Sequence, residues 1–281
     1  MTLLHVHDHG GDGTPLLLLH GAGRSLADWD AVAGRLTAGH RVLAADLPGH
    51  GRSPARSPWT LDGALRDIEE TLGEHGMPGA AVVGHSLGGG IAALYAAAHP
   101  GLTPAAVNLD GFGWGAPGRY PAADRVREMG RAAAGAVVPP EYVQQQVEYA
   151  GRFGVPAGRA RAATLGALRP LDDGRWQTLP ERAAALEMLD ALDALDVFAL
   201  LRRVPCPLLV VRARRELPGT PGMEWLDELL REYGKGLDRD LAALTADRGP
   251  ERVRVADIDA THAMLLEEPA EVAELVAGFL G

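Results

Sequence analysis

Short apolar runs alternate with segments of helical period along most of this chain. The apolar runs have the length of buried β-strands, and they occupy residues 15–19, 41–45, 80–83, 105–109, 207–211 and 252–256. The helical segments are residues 25–38, 61–75, 87–98, 222–233, 237–246 and 269–279. Strands that are apolar throughout are typically buried on both faces, as in a parallel sheet whose crossover helices cover each side. The alternation therefore predicts an α/β fold with a mainly parallel sheet and helices on both faces.

The alternation stops at residues 111–200. Helical patterns follow one another there with no strand-like run between them, and clusters of Pro and Gly at 139–140, 154–156 and 170–174 separate about four helices. A chain of 281 residues is long enough for one large domain or two modest ones. We predict one core made of residues 1–110 and 201–281, interrupted by an all-helical insertion at 111–200.

Composition and charge exclude several classes of protein. Hydrophobic residues make up 47% and charged residues 23% of the chain, which is typical of a compact globular protein. The formal net charge of -10 disfavours binding to nucleic acid or to an anionic membrane. The single cysteine, Cys206, cannot form an internal disulfide, and the first residues lack the basic and apolar regions of a signal peptide. We expect a cytoplasmic protein that acts on a small molecule, without nucleic-acid or membrane partners, and a homodimer is left open.

A G-x-S-x-G motif lies between a predicted strand and a predicted helix. Its residues are Gly84, His85, Ser86, Leu87 and Gly88. At such a sharp turn the serine adopts a strained conformation, and only very small flanking side chains let the chain pass so closely. The turn exposes the hydroxyl at the carboxyl edge of the sheet, and the helix N-terminus behind it favours developing negative charge. The motif therefore predicts that Ser86 is a nucleophile.

Three further motifs occur in the same order as in a known family. They are His20-Gly21-Ala22-Gly23 after the first core strand, Asp46-Leu47-Pro48-Gly49-His50-Gly51-Arg52-Ser53 after the next, and Asp259-Ala260-Thr261-His262-Ala263 near the end. Together with the serine motif, they make the chain resemble the α/β-hydrolase family over residues 15–110 and 200–281. The resemblance implies an α/β-hydrolase fold in which residues 111–200 form a cap over the core.

The resemblance also implies the parts of a catalytic site. His262 would be the general base that takes the proton of Ser86. The backbone N–H groups of Ala22 and Leu87 would form the oxyanion hole. His85 is expected to pack under the loop, and the resemblance implies neither a metal nor another cofactor.

The acidic member of the triad has two candidates. The family usually places an Asp after the strand at 207–211, and Glu216 occupies that place here, without the usual glycine and beside two arginines. Asp110 ends the strand at 105–109, a position that some relatives use instead. We favour Asp110, because a short carboxylate at a strand end is fixed better than a longer one beside competing cations. Both precede His262, so chain order does not choose between them.

Aromatic residues concentrate in the insertion, where 8 of the 14 occur, although they make up only 5% of the whole chain. Packing within a small helical cap explains many of them. Phe112 and Trp114 follow directly after the strand that ends at Asp110. We therefore predict that these two side chains line an apolar substrate pocket above Ser86.

We interpret two other patterns as structural features and not as ligand-binding sites. His5, His7 and His9 alternate near the start and suggest a metal site, but no cluster of further ligands follows in the sequence, so a first edge strand is favoured. Residues 111–116 fit a G-x-G-x-x-A dinucleotide fingerprint, but Pro117 and Gly118 interrupt the helix that it requires. We interpret residues 111–116 as the hinge into the insertion.

The sequence as a whole predicts a cofactor-independent serine hydrolase. Its substrate would be an ester, lactone or thioester with a small apolar acyl group, cleaved through an acyl-Ser86 intermediate. Acyl transfer to another nucleophile and cleavage of a carbon-carbon bond are alternatives within the fold. The alternative outside the enzymes is a non-catalytic protein that binds a small ligand on a hydrolase scaffold.

Overall fold

A computed structural model describes residues 3–217, 219 and 222–281 of the chain. Its strands are β1 (Val6–Gly10), β2 (Thr14–Leu19), β3 (His40–Ala45), β4 (Ala81–His85), β5 (Ala106–Leu109), β6 (Val137–Val138), β7 (Leu168–Pro170), β8 (Trp176–Thr178), β9 (Leu208–Ala213) and β10 (Val253–Ile258). Its α-helices are α1 (Asp30–Leu36), α2 (Leu61–Glu74), α3 (Leu87–Ala98), α4 (Pro121–Ala133), α5 (Tyr142–Gly151), α6 (Ala157–Gly166), α7 (Arg182–Asp193), α8 (Val197–Arg203), α9 (Glu224–Arg248), α10 (Met264–Glu267) and α11 (Pro269–Leu280). A short 3-10 helix, Leu26–Trp29, precedes α1.

The main sheet has seven strands in the order β1-β3-β2-β4-β5-β9-β10. β1 pairs antiparallel with β3, and every other pairing in the sheet is parallel. This architecture confirms the predicted α/β fold, and all six predicted strands are present. Because parallel strands end at the same edge, the residues that follow β2, β4, β5 and β9 gather at one edge of the sheet.

Both faces of the sheet are buried, which explains the continuous apolar runs. Along β2, Leu16 and Leu18 join one core cluster while Leu17 and Leu19 join another. Successive side chains of a strand point to opposite faces, so a strand covered by helices on both sides needs an apolar residue at every position. The first cluster includes residues of α1 and α11, and the second includes residues of α2 and α3.

One predicted helix break is wrong. The segments 222–233 and 237–246 form a single helix, α9, which continues through Gly234 and Gly236. A side chain at Gly236 would overlap the hydroxyl of Tyr120, just before α4. The glycine therefore allows a close approach between α9 and the insertion instead of ending the helix.

The prediction that residues 111–200 are all-helical is also wrong in part. Helices α4 to α8 are present, but β6, β8 and β7 form a small antiparallel sheet beside them. These strands are only two or three residues long, so they are too short to produce an apolar run in the sequence. Leu200 and Leu201 of α8 are fully buried with residues of β9 and α9. The chain therefore packs against the core before residue 201, where the second part of the core was predicted to begin.

Within the described ranges, none of the helices combines the length and the apolar composition needed to cross a lipid bilayer.

Candidate active site

Ser86 lies at a strained turn between β4 and α3. Its backbone has φ 54° and ψ -118°, a conformation that residues with a side chain rarely adopt. A Cβ atom at Gly84 would overlap the carbonyl of Gly88, and one at Gly88 would overlap the carbonyl of Leu19. The two glycines therefore let the turn form, as the G-x-S-x-G pattern predicts.

Asp110 contacts His262 across the edge of the sheet. The Nδ1 atom of His262 donates a hydrogen bond of 2.7 Å to Oδ2 of Asp110. The other carboxylate oxygen, Oδ1, accepts a hydrogen bond of 3.1 Å from the backbone N–H of Ala213, at the end of β9. Asp110 also has a positive φ of 53°. Its carboxylate is thus held from two sides, and it fixes the orientation of the His262 ring.

Asn108 supports the turn that presents Asp110. Its buried amide accepts a hydrogen bond of 2.7 Å from the N–H of Gly111 and donates one of 3.0 Å to the carbonyl of the same residue. A Cβ atom at Gly111 would overlap the carbonyl of Ser86. The two turns that present Ser86 and Asp110 therefore pack directly against each other.

Glu216 is in a different environment. Its side chain is exposed, and across the described part of the chain no hydrogen bond joins it to His262. Its neighbour Arg215 forms ion pairs of 3.2 Å with Asp259, Glu267 and Glu268. The geometry thus favours Asp110 over Glu216 as the partner of His262, although the catalytic role of either residue stays a prediction.

The loop that carries His262 is held by Thr261 of the same motif and by Glu267. Glu267 is almost fully buried, and its Oε2 accepts a hydrogen bond of 2.9 Å from the N–H of Thr261. The hydroxyl of Thr261 donates to the other oxygen of the same carboxylate. Glu267 follows His262 by five residues and is the last residue of α10.

His85 braces the same loop from below. Its Nε2 atom donates a hydrogen bond of 2.8 Å to the backbone carbonyl of His262. Burial, together with the nearby imidazole of His262, lowers the pKa of His85 well below its ordinary value, so the ring is neutral at neutral pH. The sequence predicts that His85 packs under the loop, and its ring contacts the loop of His262 from the core side.

His20 and His50 brace the segments beside Ser86. Nε2 of His20 accepts a hydrogen bond of 2.9 Å from the N–H of Leu47, and Nε2 of His50 accepts one of 3.2 Å from the N–H of Gly23. Burial lowers the pKa of both rings, and that of His50 falls to about 4. Neutral rings can accept these hydrogen bonds, whereas protonated rings cannot.

The structure places both predicted oxyanion-hole residues next to Ser86. Ala22 lines the cavity at Ser86, and Leu87 directly follows Ser86 as the first residue of α3. Gly21 packs so closely that a Cβ atom there would lie 3.1 Å from Cβ of Ser86. Neither the Ala22 nor the Leu87 backbone N–H donates to a protein acceptor among the residues described. Their function as an oxyanion hole stays a prediction.

A cavity of about 340 Å³ opens above Ser86 and His262. Most of its lining is apolar and comes from both the insertion and the core, through Tyr149, Phe153, Val155, Ala160, Leu265 and Leu266. One charged pair also lines it. Arg24 donates two hydrogen bonds, of 2.7 and 2.8 Å, to the carboxylate of the buried Asp28.

Phe112 and Trp114 do not line this cavity, so their prediction as substrate-binding residues is corrected. The ring of Phe112 stacks on Phe198 at 5.9 Å, and the ring of Trp114 lies 4.9 Å from that of Tyr233. Both residues line a second cavity of about 350 Å³ between the hinge, α8 and α9. The chain turns away from Ser86 after Gly111, which the sequence does not reveal.

Tyr149 and Phe153 are the aromatic residues of the insertion that reach the cavity at Ser86. They are four residues apart, in and just after α5, and their rings are 5.4 Å apart. This spacing places both rings on one face of a helical turn, and it was the signal that could have identified them.

Comparison with known proteins agrees with this geometry. Residues 16–275 match the model of the alpha/beta hydrolase family. Lipase LipV of Mycobacterium tuberculosis is 30% identical to this chain over an alignment of 301 positions. The alignment covers 99% of this chain and 98% of the lipase. The pimeloyl-(acyl-carrier protein) methyl ester esterase of Chromobacterium violaceum is 32% identical over 192 residues, which cover 68% of this chain and 60% of the esterase.

Among solved structures, E-2-(acetamidomethylene)succinate hydrolase superposes with a TM-score of 0.75 at 23% identity. The match covers 99% of this chain and 94% of that one, and it shows a shared fold. The family match spans nearly the whole chain and includes every motif at the edge of the sheet. The chain therefore belongs to the alpha/beta hydrolase family and is a hydrolase.

Proposed function

We propose that this protein is a serine hydrolase that cleaves an ester, lactone or thioester of a small apolar acyl group. The observation that carries the proposal is the 2.7 Å hydrogen bond between His262 and Asp110, at the cavity that Ser86 also lines. A nucleophile, a base and an acid that orients the base are the three groups that acyl transfer from such substrates requires.

The first half of the reaction forms an acyl-enzyme. Since Nδ1 of His262 donates to Asp110, Nε2 is the nitrogen left to take the proton of Ser86. The Ser86 oxygen attacks the substrate carbonyl, and the N–H groups of Ala22 and Leu87 stabilise the resulting oxyanion. Protonated His262 then donates its proton to the leaving group. A water molecule repeats the sequence in the second half and releases the acid.

The lining of the cavity supports a small apolar acyl group. Aromatic and aliphatic side chains from the insertion and the core form most of its wall, which favours burial of a hydrocarbon group. A volume of about 340 Å³ suits a small ligand and not a long lipid chain. The names of the lipase and the methyl ester esterase among the relatives agree with an ester substrate.

A fluorophosphonate probe tests the proposed nucleophile. We expect the protein to be labelled once, with loss of p-nitrophenyl butyrate hydrolysis, and we expect Ser86→Ala to abolish both labelling and hydrolysis. Ser57→Ala is the matched control, because Ser57 is exposed and remote in sequence from the motif. Labelling that persists in Ser86→Ala, or hydrolysis that survives in it, would refute the proposal.

A further inference from the structure

Three side chains outside the catalytic cavity converge on one point at the edge of the main sheet. His7 and His9 are two residues apart on β1, so their side chains point to the same face. Asp30 is the first residue of α1, and its Oδ1 atom lies 3.7 Å from Nδ1 of His7 and 3.9 Å from Nε2 of His9. None of the three residues lines the cavity at Ser86.

His9 has a buried nitrogen that no described residue joins by a hydrogen bond. Only 9% of its side chain is exposed, and Nε2 is fully buried. The nearest carboxylate oxygen is 3.9 Å away, beyond hydrogen-bonding distance. A buried polar atom is rarely left unpaired in a native protein, because its lost solvation is not compensated. Nε2 of His9 and the Asp30 carboxylate are therefore close enough to share one partner.

The chemistry of the three groups suits a metal ion. Two imidazoles and one carboxylate suit zinc and similar transition metals, whereas calcium and magnesium prefer oxygen ligands alone.

The spacing also suits one ion. The three candidate ligand atoms all lie within 4.8 Å of one another. Nitrogen and oxygen ligands about 2.1 Å from a tetrahedral zinc ion are roughly 3.4 Å apart. The observed distances therefore require only small movements. His7 and Asp30 can make them, because each side chain is 53% exposed.

We propose that His7, His9 and Asp30 bind a divalent transition-metal ion of the zinc class, with water in the fourth position. The sequence pattern had favoured a simple edge strand because no further ligands follow the histidines, and the fold supplies the third ligand from α1. The ion joins the antiparallel edge strand to the first helix. It binds the folded chain in preference to the unfolded one and stabilises it by mass action.

Zinc binding to the untagged, chelator-treated protein tests the proposal. Titration calorimetry is expected to show one Zn²⁺ per chain at this site, with a rise in the melting temperature. Electron paramagnetic resonance with Cu²⁺ is expected to show coupling to two nitrogen atoms. His7→Asn and Asp30→Asn should each weaken Zn²⁺ binding at least about tenfold and remove the rise in melting temperature.

The control variant is His75→Asn, which removes a histidine at the C-terminal end of α2, outside the cluster. It should bind Zn²⁺ as the unchanged protein does. Because His9 is buried, His9→Asn is used only with a circular dichroism spectrum that shows a folded chain. The proposal is overturned if the unchanged protein binds no Zn²⁺, or if His7→Asn and Asp30→Asn bind it as tightly as the unchanged protein.

Discussion

The backbone around Asp110 holds its carboxylate in the position that the proposed catalytic role needs. Asp110 has a positive φ at the end of β5, and its two carboxylate oxygens accept hydrogen bonds from Ala213 and His262. The sequence left open a non-catalytic binding protein, on the basis that Glu216 stands where the family usually places an Asp. The contact between Asp110 and His262 removes that basis, whereas the exposed Glu216 has no such contact in the described chain.

Replacement of the acid therefore has a clear expected result. Asp110→Asn should lower kcat by about 10³- to 10⁴-fold, because an amide does not hold the His262 ring in the tautomer that accepts the serine proton. Glu216→Gln is the matched control, and it should change kcat less than about twofold. Steady-state hydrolysis of p-nitrophenyl butyrate measures both variants. A large loss in Glu216→Gln with none in Asp110→Asn would assign the acid to Glu216.

At the scale of elements, the cavity joins the sheet edge to the insertion. Ser86 and His262 lie on turns of the core, while Tyr149 and Phe153 come from the end of α5. The element that follows β5 directly, with Phe112 and Trp114, packs instead against α8 and α9. Selection of the acyl group should therefore depend on α5 and not on the hinge.

Two truncations test this assignment. Phe153→Ala should lower kcat/KM for p-nitrophenyl butyrate about tenfold, mainly through KM, because the acyl chain loses contact with a partly buried ring. Trp114→Phe, in the second cavity, should leave kcat/KM within about twofold. If only the Trp114 variant loses activity, the acyl group binds near the hinge and not at α5.

The elements also show what the sequence can predict. The six core strands are predictable because burial on both faces imposes continuous apolar runs. The short strands β6, β7 and β8 leave no such run, and the continuity of α9 through Gly236 depends on a contact with Tyr120. Ser86 and His262 are predictable from local motifs. The placement of Phe153, and of Asp30 beside the histidines of β1, depends on the folded arrangement of distant segments.

At the scale of the whole molecule, buried neutral histidines link stability to pH. Burial lowers the pKa of His20, His50 and His85 in the folded state, so the unfolded chain binds more protons at mildly acidic pH. The stability that depends on these neutral rings is present above the unfolded pKa of about 6.5 and is lost as the pH falls toward the folded pKa.

His50 gives this linkage a measurable size. The difference in unfolding free energy between the unchanged protein and His50→Asn should be about 2 kcal/mol smaller at pH 5 than at pH 7. The folded pKa of His50 is about 4, so between these two pH values the ring takes up a proton mainly in the unfolded chain. Urea unfolding at both pH values measures the difference, and the comparison cancels the titration of groups that His50 does not influence. A difference that is the same at both pH values would contradict the burial of a neutral ring.

The central claim for the whole molecule is that Ser86 carries the acyl group between the two halves of the reaction. Rapid acid quenching during turnover of p-nitrophenyl butyrate, followed by intact-mass and peptide mass spectrometry, tests it most directly. We predict a covalent adduct of one butyryl group on the peptide that contains Ser86, absent from Ser86→Ala. Turnover without any adduct on that peptide, or with the adduct on another residue, would contradict the claim.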